Sequence, residues 1–330
     1  MSNQILKIIN RAIKKKDKYS ILTFNTHERY QTQLAKTGHD FYAFNYDDSK
    51  EWFDNHGTMP DNYYVLPKNS IYYALDFDFI LSQSKFGQFQ VVQNINQRLK
   101  LPVISLEHTL PVENWPDSHL ENFRRMVGDI NVFISDYSAN KWGLHTNSID
   151  VVKHSVGTDL FKPDERVKKK VQVLSVVHDF INRDYCLNYS GWKRITEGMP
   201  VRVVGDTEGL SKPAASVKDL VKEYQSSQVF LNTSTLSPIP MALLEAMACG
   251  CAVVSTANCM IPEMIEHGVN GLISNDETEL RDHLEKLLAD EDLRIKLGKA
   301  ARETILKDFS ESKFIDNWNK IFDRAYSYGA

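Results

Sequence analysis

The stretch STLSPIPMALLEAMACGCAVVST, residues 234–256, gathers much of the chemistry this chain can offer. Pro240 suits the first position of a helix, where an N–H would have no partner anyway. Ile239 precedes a proline and is held out of the helical region, so a helix is expected to start at Pro240. The N–H groups of Met241, Ala242 and Leu243 would then leave the helix end without an internal acceptor. Such an end attracts anions, and the helix dipole adds to the attraction. Glu245 falls within two turns of that end, within reach of a ligand anchored there. Its carboxylate can accept both hydroxyls of a vicinal diol such as ribose. It can equally just favour the positive helix end, and the spacing alone leaves both readings open.

Other reactive residues say less. The four cysteines are Cys186, Cys249, Cys251 and Cys259. Cys249 and Cys251 are one residue apart, unlike a zinc knuckle, and their setting is apolar. They read as reduced core residues, which fits a cytoplasmic protein. The amino terminus has no signal-like apolar run, and no stretch approaches the roughly 20 apolar residues of a membrane span. Apolar residues at helical spacing between Ile5 and Ile13 lead into Lys14, Lys15 and Lys16. That basic end is either a solvated helix terminus or a contact for anionic lipid or nucleic-acid phosphate, so a peripheral membrane association stays open.

These residues need a scaffold, and the chain supplies two alternating sets of elements. Its 330 residues, 42% hydrophobic and 25% charged, suffice for about two ordinary domains. The net charge of −4 argues against a general polyanion-binding surface. YSILTFN, HDFYAFN, FDFILSQS, PVISLEH, INVFIS and SIDVVKHS read as strands, with helices between them at ERYQTQLAKTG, GQFQVVQNINQRLK and HLENFRRMVG. LFKPDERVKKKV interrupts with a proline and a charge run. A second set follows through VQVLSVV, PVRVVGD, SVKDLVKEYQSS, QVFLNTS, the proline-led helix, CAVVST and NGLISN, and ends in an almost wholly helical tail. Alternation of this kind implies βαβ units and parallel sheets. The expected organisation is α/β: a Rossmann-like domain over 1–161, a linker over 162–171, a second Rossmann-like domain over 172–309, and a terminal helix over 310–330 packing back on the first. Two doubly wound domains facing a central cleft would bind ligands at the carboxyl ends of their strands.

LLEAMACGCAVVST followed by IPEMIEHGVNGLIS resembles the carboxyl-terminal signature of glycosyltransferase family 4, retaining nucleotide-sugar enzymes of GT-B fold. The resemblance is strong over the last hundred residues and thin before residue 100. In that family a glutamate, seven residues and a second glutamate span donor sugar and ribose. Glu245 matches the second and is implied to hold ribose; the first falls on Ser237, which brings no charge to the sugar. PVISLEHT resembles the strand ending in a histidine that faces the donor sugar, here His108. VVKHSVGTDLFKP resembles the segment before the linker and carries His154, with Ser155 and Gly157 standing where the family has glycine and aspartate. PVRVVGD matches the strand ending in Gly205 and Asp206. The family's glycine-arginine…lysine loop becomes VVHDFINRDY, where His178 falls on the arginine and Arg183 on the lysine. Arg183, a planar fork, is the better grip for a diphosphate. FNTHERYQ replaces the family's glycine-rich loop, so His27, Glu28 and Arg29 stand as its polar substitutes or as an ordinary helix-starting turn.

What the resemblance implies is transfer of a sugar from a UDP- or GDP-linked donor to a hydroxyl on a glycan, a lipid-linked sugar or a hydroxylated DNA base. His108, Arg183 and Glu245 would be the catalytic residues. Pro240, Ile239, Met241, Ala242 and Ser237 would line the donor with His178, Arg183 and Gly205. No cofactor and no metal are expected. Asp76-Phe77-Asp78 resembles a metal-binding pair but sits at the start of an apolar strand. Ser237, Gly157 and the missing glycine loop also admit a non-catalytic nucleotide-sugar-binding protein. A nicotinamide dehydrogenase is disfavoured, because no glycine-x-glycine-x-x-glycine follows either first strand.

Overall fold

A computed structural model of the chain describes residues 16–49, 51–52, 58–72, 75–112 and 114–329, with only the backbone at Val171. The apolar helix expected over 5–13, with Lys14 and Lys15, lies outside the described residues. Lys16 lies inside them and pairs with Asp78 at 2.7 Å. The chain forms two compact units, residues 1–154 with 312–330, and residues 155–311.

The first unit is built from β1 (Ser20–Thr23), α1 (Glu28–Ala35), β2 (Asp40–Ala43), β3 (Tyr63–Val65), β4 (Phe79–Ser82), α2 (Gln88–Leu99), β5 (Val103–Glu107), α3 (Asp117–Arg124), β6 (Ile130–Phe133), α4 (Asp136–Trp142) and β7 (Ile149–Val151). Its seven strands run in the order β3-β2-β1-β4-β5-β6-β7. Every pairing is parallel. β4, β5 and β6 are buried along their whole length, as strands covered on both faces must be. The sheet grows in opposite directions from the β1–β4 neighbourhood, which opens a crevice at the carboxyl ends of those strands.

The second unit runs through β8 (Val171–Val176), α5 (Asp184–Leu187), α6 (Tyr189–Ile195), β9 (Val201–Val204), α7 (Val217–Ser226), β10 (Ser227–Asn232), α8 (Met241–Ala248), β11 (Ala252–Ser255), α9 (Ile261–Met264), β12 (Leu272–Ile273), α10 (Glu277–Ala289) and α11 (Glu291–Asp308). Its five strands are ordered β12-β11-β10-β8-β9, again all parallel. Here the growth reverses between β8 and β10. Val173, Val229, Leu231 and Val254 meet Trp192, Leu284 and Leu297 in the core. A Cβ on Gly298 would lie 2.3 Å from the Gly250 carbonyl oxygen, so α11 reaches the end of α8 only through glycine. The boundary expected at 161 and the linker expected over 162–171 fall inside this unit. Phe161 is buried, its ring 6.2 Å from Tyr224, and its carbonyl accepts from Arg302 at 3.2 Å.

The last helix, α12 (Glu311–Tyr328), buries Phe314, Trp318, Ile321 and Phe322. Each such side chain contributes about 1.5–3 kcal/mol. Trp318 donates to the Tyr30 hydroxyl at 2.9 Å, Phe322 stacks on Phe79 at 5.4 Å, and Tyr19 donates to Asp323 at 2.8 Å. These contacts seat α12 on the first unit. Among the described residues no helix is long and apolar enough to cross a membrane.

Candidate functional site

In the second unit the expected donor residues lie at the carboxyl ends of β8 and β10, where the sheet reverses, with Gly205 at the end of the neighbouring β9. The loop after β10 leads into α8 and carries Ser237, Ile239 and Pro240. Pro240 is the residue before the helix rather than its first member; its extended backbone (φ −80°, ψ 93°) leaves α8 to begin at Met241. The Leu243 N–H, expected to be open, donates back to the Pro240 carbonyl at 2.9 Å. Met241 and Ala242 retain the helix-end N–H groups, with no backbone acceptor among the described residues. Ser237, Ile239, Met241 and Ala242 are all half-buried. The opening therefore offers two N–H donors, not three.

The loop after β8 is laced to the one after β10. Thr235 and Leu236 N–H groups donate to the Cys186 carbonyl at 2.9 and 3.1 Å, and the Thr233 hydroxyl donates to the Leu187 carbonyl at 2.9 Å. The segment bearing Arg183, just before α5, is thereby fixed to the segment that starts α8. Arg183 is exposed, and its guanidinium has no hydrogen-bond or ionic partner among the described residues. Gly205 holds φ +138°, and a Cβ there would sit 1.8 Å from the Val177 carbonyl oxygen. Only glycine lets the turn after β9 pass so close, which brings the Asp206 N–H to His178 Nδ1 at 3.0 Å. Nδ1 thus accepts from the backbone. The permanent positive charge of this loop is the Arg183 guanidinium.

Glu245 is 5% exposed. Its Oε2 accepts from the Tyr224 hydroxyl at 2.8 Å. Burial, and then this carboxylate, push the Tyr224 phenol well up, so the tyrosine stays a donor. Tyr224 carried no chemical role in the sequence; its position in α7, YQSS before a strand, gave no signal. Cys249 and Cys251 lie nearby as buried free thiols, Cys251 pushed up to about 11 by burial.

The first unit gathers the remaining expected residues at the carboxyl ends of β1, β5 and β7. The His108 ring lies 4.8 Å from His27, 4.6 Å from Tyr30 and 5.9 Å from His154. His27 and Arg29 are exposed, whereas Glu28 is turned inward and buried; it helps to raise the buried Tyr63 hydroxyl. Burial, reinforced by His27 and His154, holds His108 well below its usual pKa. His154 is pushed down to about 3 by burial and then by His27. Both rings are therefore neutral. Gln83 donates from Nε2 to the Phe24 carbonyl at 3.3 Å and to Thr23 Oγ1 at 3.1 Å. A carbonyl can only accept, so the amide oxygen of Gln83 faces His108 Nε2, 3.4 Å away. His108 then carries its proton on Nε2 and keeps an acceptor lone pair on Nδ1.

Beneath this cluster lie two groups that sequence reasoning missed. Glu107 is fully buried and accepts from the Lys85 N–H at 2.9 Å and from the Thr109 N–H and hydroxyl at 2.9 and 2.7 Å. Burial raises its pKa while these bonds oppose the rise. Burial pushes Lys85 down to about 8. Together they tie the loops after β4 and β5, on either side of His108. In PVISLEHT the glutamate reads only as strand. Asp78 is not set out for a metal, since it accepts from the Ser20 N–H at 2.8 Å. Among the described residues no three His, Cys, Asp or Glu side chains gather as a metal ion would need.

The chain resembles known proteins in sequence over one segment and in fold over nearly its whole length. Residues 212–304 match the family described as Glycosyl transferases group 1. N-acetyl-alpha-D-glucosaminyl L-malate synthase of Bacillus anthracis is 35% identical over 98 residues, 29% of this chain and 26% of that protein. The match thus spans about a quarter of that relative's length. The sucrose-phosphate synthase structure from Thermosynechococcus elongatus superposes with a TM-score of 0.72, 14% identity, covering 94% of this chain and all (100%) of that one. Anabaena HepE in complex with UDP gives 0.74 at 14% identity, covering 93% and 100%. The α/β fold with two parallel sheets is that of GT-B glycosyltransferases.

Proposed function

We propose that this chain, whose residues 212–304 carry the group 1 glycosyl transferase match, moves a sugar from a nucleotide-diphosphate donor to a hydroxyl acceptor, most simply on a glycan. The observation that carries the reading is the start of α8 at the β8–β10 reversal, with its Met241 and Ala242 N–H groups and the Arg183 loop laced to it. Breaking the bond between sugar and phosphate leaves negative charge on the departing oxygen. Fixed N–H donors and a guanidinium stabilise that charge without reorganising. In this reading Glu245, oriented by Tyr224, accepts from the ribose, His178 belongs to the donor site, and Ser237 faces the donor sugar. Retention follows if the acceptor hydroxyl attacks from the face the phosphate leaves and passes its proton to the leaving oxygen. His108, with Nδ1 as acceptor, orients a hydroxyl at the first unit, with His27, Arg29 and His154 around it. A lipid-linked sugar or a hydroxylated DNA base would serve the same chemistry as acceptor. The reading asks for no metal ion and places the protein in the cytoplasm.

A thermal-shift panel with UDP, GDP, ADP, CMP and NAD tests it. A ligand at about 100 times its Kd stabilises the native state by roughly 2.7 kcal/mol. A shift with UDP or GDP alone is expected; a shift with NAD, or none with either nucleoside diphosphate, overturns it. Ser237 favours a second reading, a nucleotide-sugar-binding protein without turnover. Release of UDP or GDP from a sugar donor, unchanged by EDTA, would exclude that reading.

A further inference from the structure

A separate cavity of about 170 Å³ opens in the first unit at the carboxyl ends of β1, β2 and β3. Phe44, Trp52 and Met59 supply its apolar wall; Asn45, Ser49 and Glu51 supply its polar one. None of these residues belongs to the histidine cluster. The Trp52 ring is braced 5.0 Å from Tyr63. Ser49 Oγ accepts from the Tyr46 N–H at 2.8 Å, which leaves its own proton to donate outward. The side-chain amide of Asn45 and the carboxylate of Glu51 have no hydrogen-bond partner among the described residues.

The composition selects an occupant. An apolar cavity of ~150 Å³ holds one benzene-sized ring, so this one has room for a single six-membered ring. Among the described residues its lining holds a carboxylate and no lysine or arginine, which favours a neutral ligand over a phosphate or a carboxylate. A hydrocarbon chain would leave Asn45, Ser49 and Glu51 unpaired at a cost of about 1–3 kcal/mol for each group it buried. A pyranose meets both walls. Its C–H face packs against an aromatic ring, and its hydroxyls need the mixture of donors and acceptors that an amide, a hydroxyl and a carboxylate provide. We propose that this cavity is a subsite for one neutral pyranose ring. Calling that ring part of the acceptor rests on the transferase reading above; the ring's binding does not.

Saturation-transfer NMR on the full chain tests this with the methyl α- and β-pyranosides of glucose, galactose, mannose, N-acetylglucosamine and N-acetylgalactosamine. Parallel samples carry UDP or GDP. At least one glycoside is expected to bind, with affinity reduced tenfold or more by Trp52→Ala and by Asn45→Ala, and unchanged by Arg183→Ala. If Trp52→Ala fails to fold, Asn45→Ala and Glu51→Gln decide, since neither side chain has a hydrogen-bond partner among the described residues. No binding by any glycoside, binding that survives these substitutions, or binding of thymidine in their place overturns the subsite. Glycoside binding without nucleotide binding supports the subsite and sinks the transferase reading; nucleotide binding without glycoside binding does the reverse.

Discussion

The carboxyl edges of the two sheets are built on opposite electrostatic plans. In the second unit the edge presents backbone N–H groups and an exposed guanidinium, held by a glycine turn and by loop-to-loop hydrogen bonds. In the first unit the corresponding edge is aromatic and uncharged at its centre: His108, His154 and Tyr30 pack ring to ring with Phe314 and Trp318 behind them. A site for a diphosphate needs potential, and potential comes from ends and charges that stay partly in water. A site that must orient a neutral hydroxyl needs fixed lone pairs, and burial supplies those by keeping imidazoles unprotonated. Two all-parallel sheets thus carry differently charged edges, separated by how much water each edge admits.

The largest expected effect attacks the neutral edge through pH. Histidines of the unfolded chain titrate near 6.5, whereas His154 in the folded chain titrates at about 3 and His108 is also well below its usual value. Above roughly pH 7.5 both states are neutral and the histidines contribute no pH dependence. As pH falls through 6.5 the unfolded chain takes up protons that the folded chain refuses, so stability falls, for His154 down to about pH 3. The slope approaches about 1.4 kcal/mol per pH unit for each histidine. Urea unfolding at pH 7.5, 6.5 and 5.5 should show this loss, and His154→Gln should remove one histidine's share. An identical slope in the variant would mean that His154 is solvated, and the contrast between the edges would fail there.

The next effect attacks the charged edge. Arg183→Ala removes the fixed positive charge of the loop before α5. A hydrogen bond to a charged group contributes about 1.5–3 kcal/mol, so UDP or GDP should bind roughly 10- to 150-fold more weakly, with the melting temperature nearly unchanged because Arg183 is exposed. Arg183→Lys should recover only part, since a point charge does not replace a fork. Undiminished affinity in Arg183→Ala would shift the anion's grip entirely to the start of α8.

The two edges also differed in how far the sequence disclosed them. The charged edge uses backbone devices local in the chain: proline before a helix, glycine after a strand, small residues where α8 ends. Each leaves a mark within a few residues, and the family resemblance is strongest there. The neutral edge draws on residues 27, 30, 83, 108, 154 and 318; the Trp318–Tyr30 bond alone spans 288 residues. No window of sequence shows that Tyr30 joins two histidines, or that Glu107 ties two loops from below. β3 escaped notice because it is a three-residue edge strand with Tyr64 and Val65 exposed. α4 escaped because DYSANKW has almost no apolar period; its capping box between Ser135 and Ser138 starts it instead. The helical tail read as one run, yet Asp290 breaks it. Its backbone is extended (φ −112°, ψ 99°) and its carboxylate caps the Leu293 N–H, so it closes α10 and opens α11.

The smallest effect tests whether the charged edge also depends on a buried group. Tyr224→Phe removes the hydroxyl that donates to Glu245 Oε2 and changes almost no packing. A lost hydrogen bond of this kind is worth roughly 1 kcal/mol, more where a charged acceptor stays buried. Destabilisation of about 1–2 kcal/mol is therefore expected whatever Glu245 does. If Tyr224 orients Glu245 toward a ribose, the variant should also lose about fivefold in affinity for UDP or GDP, while its affinity for inorganic pyrophosphate stays constant. Glu245→Gln should then lose ribose affinity in the same way, and the double variant should lose no more than the larger single effect, as coupled neighbours do. Equal weakening of pyrophosphate and nucleotide would mean that Tyr224 acts only by holding α8 in place. The glutamate would then belong to the helix's packing rather than to the ligand.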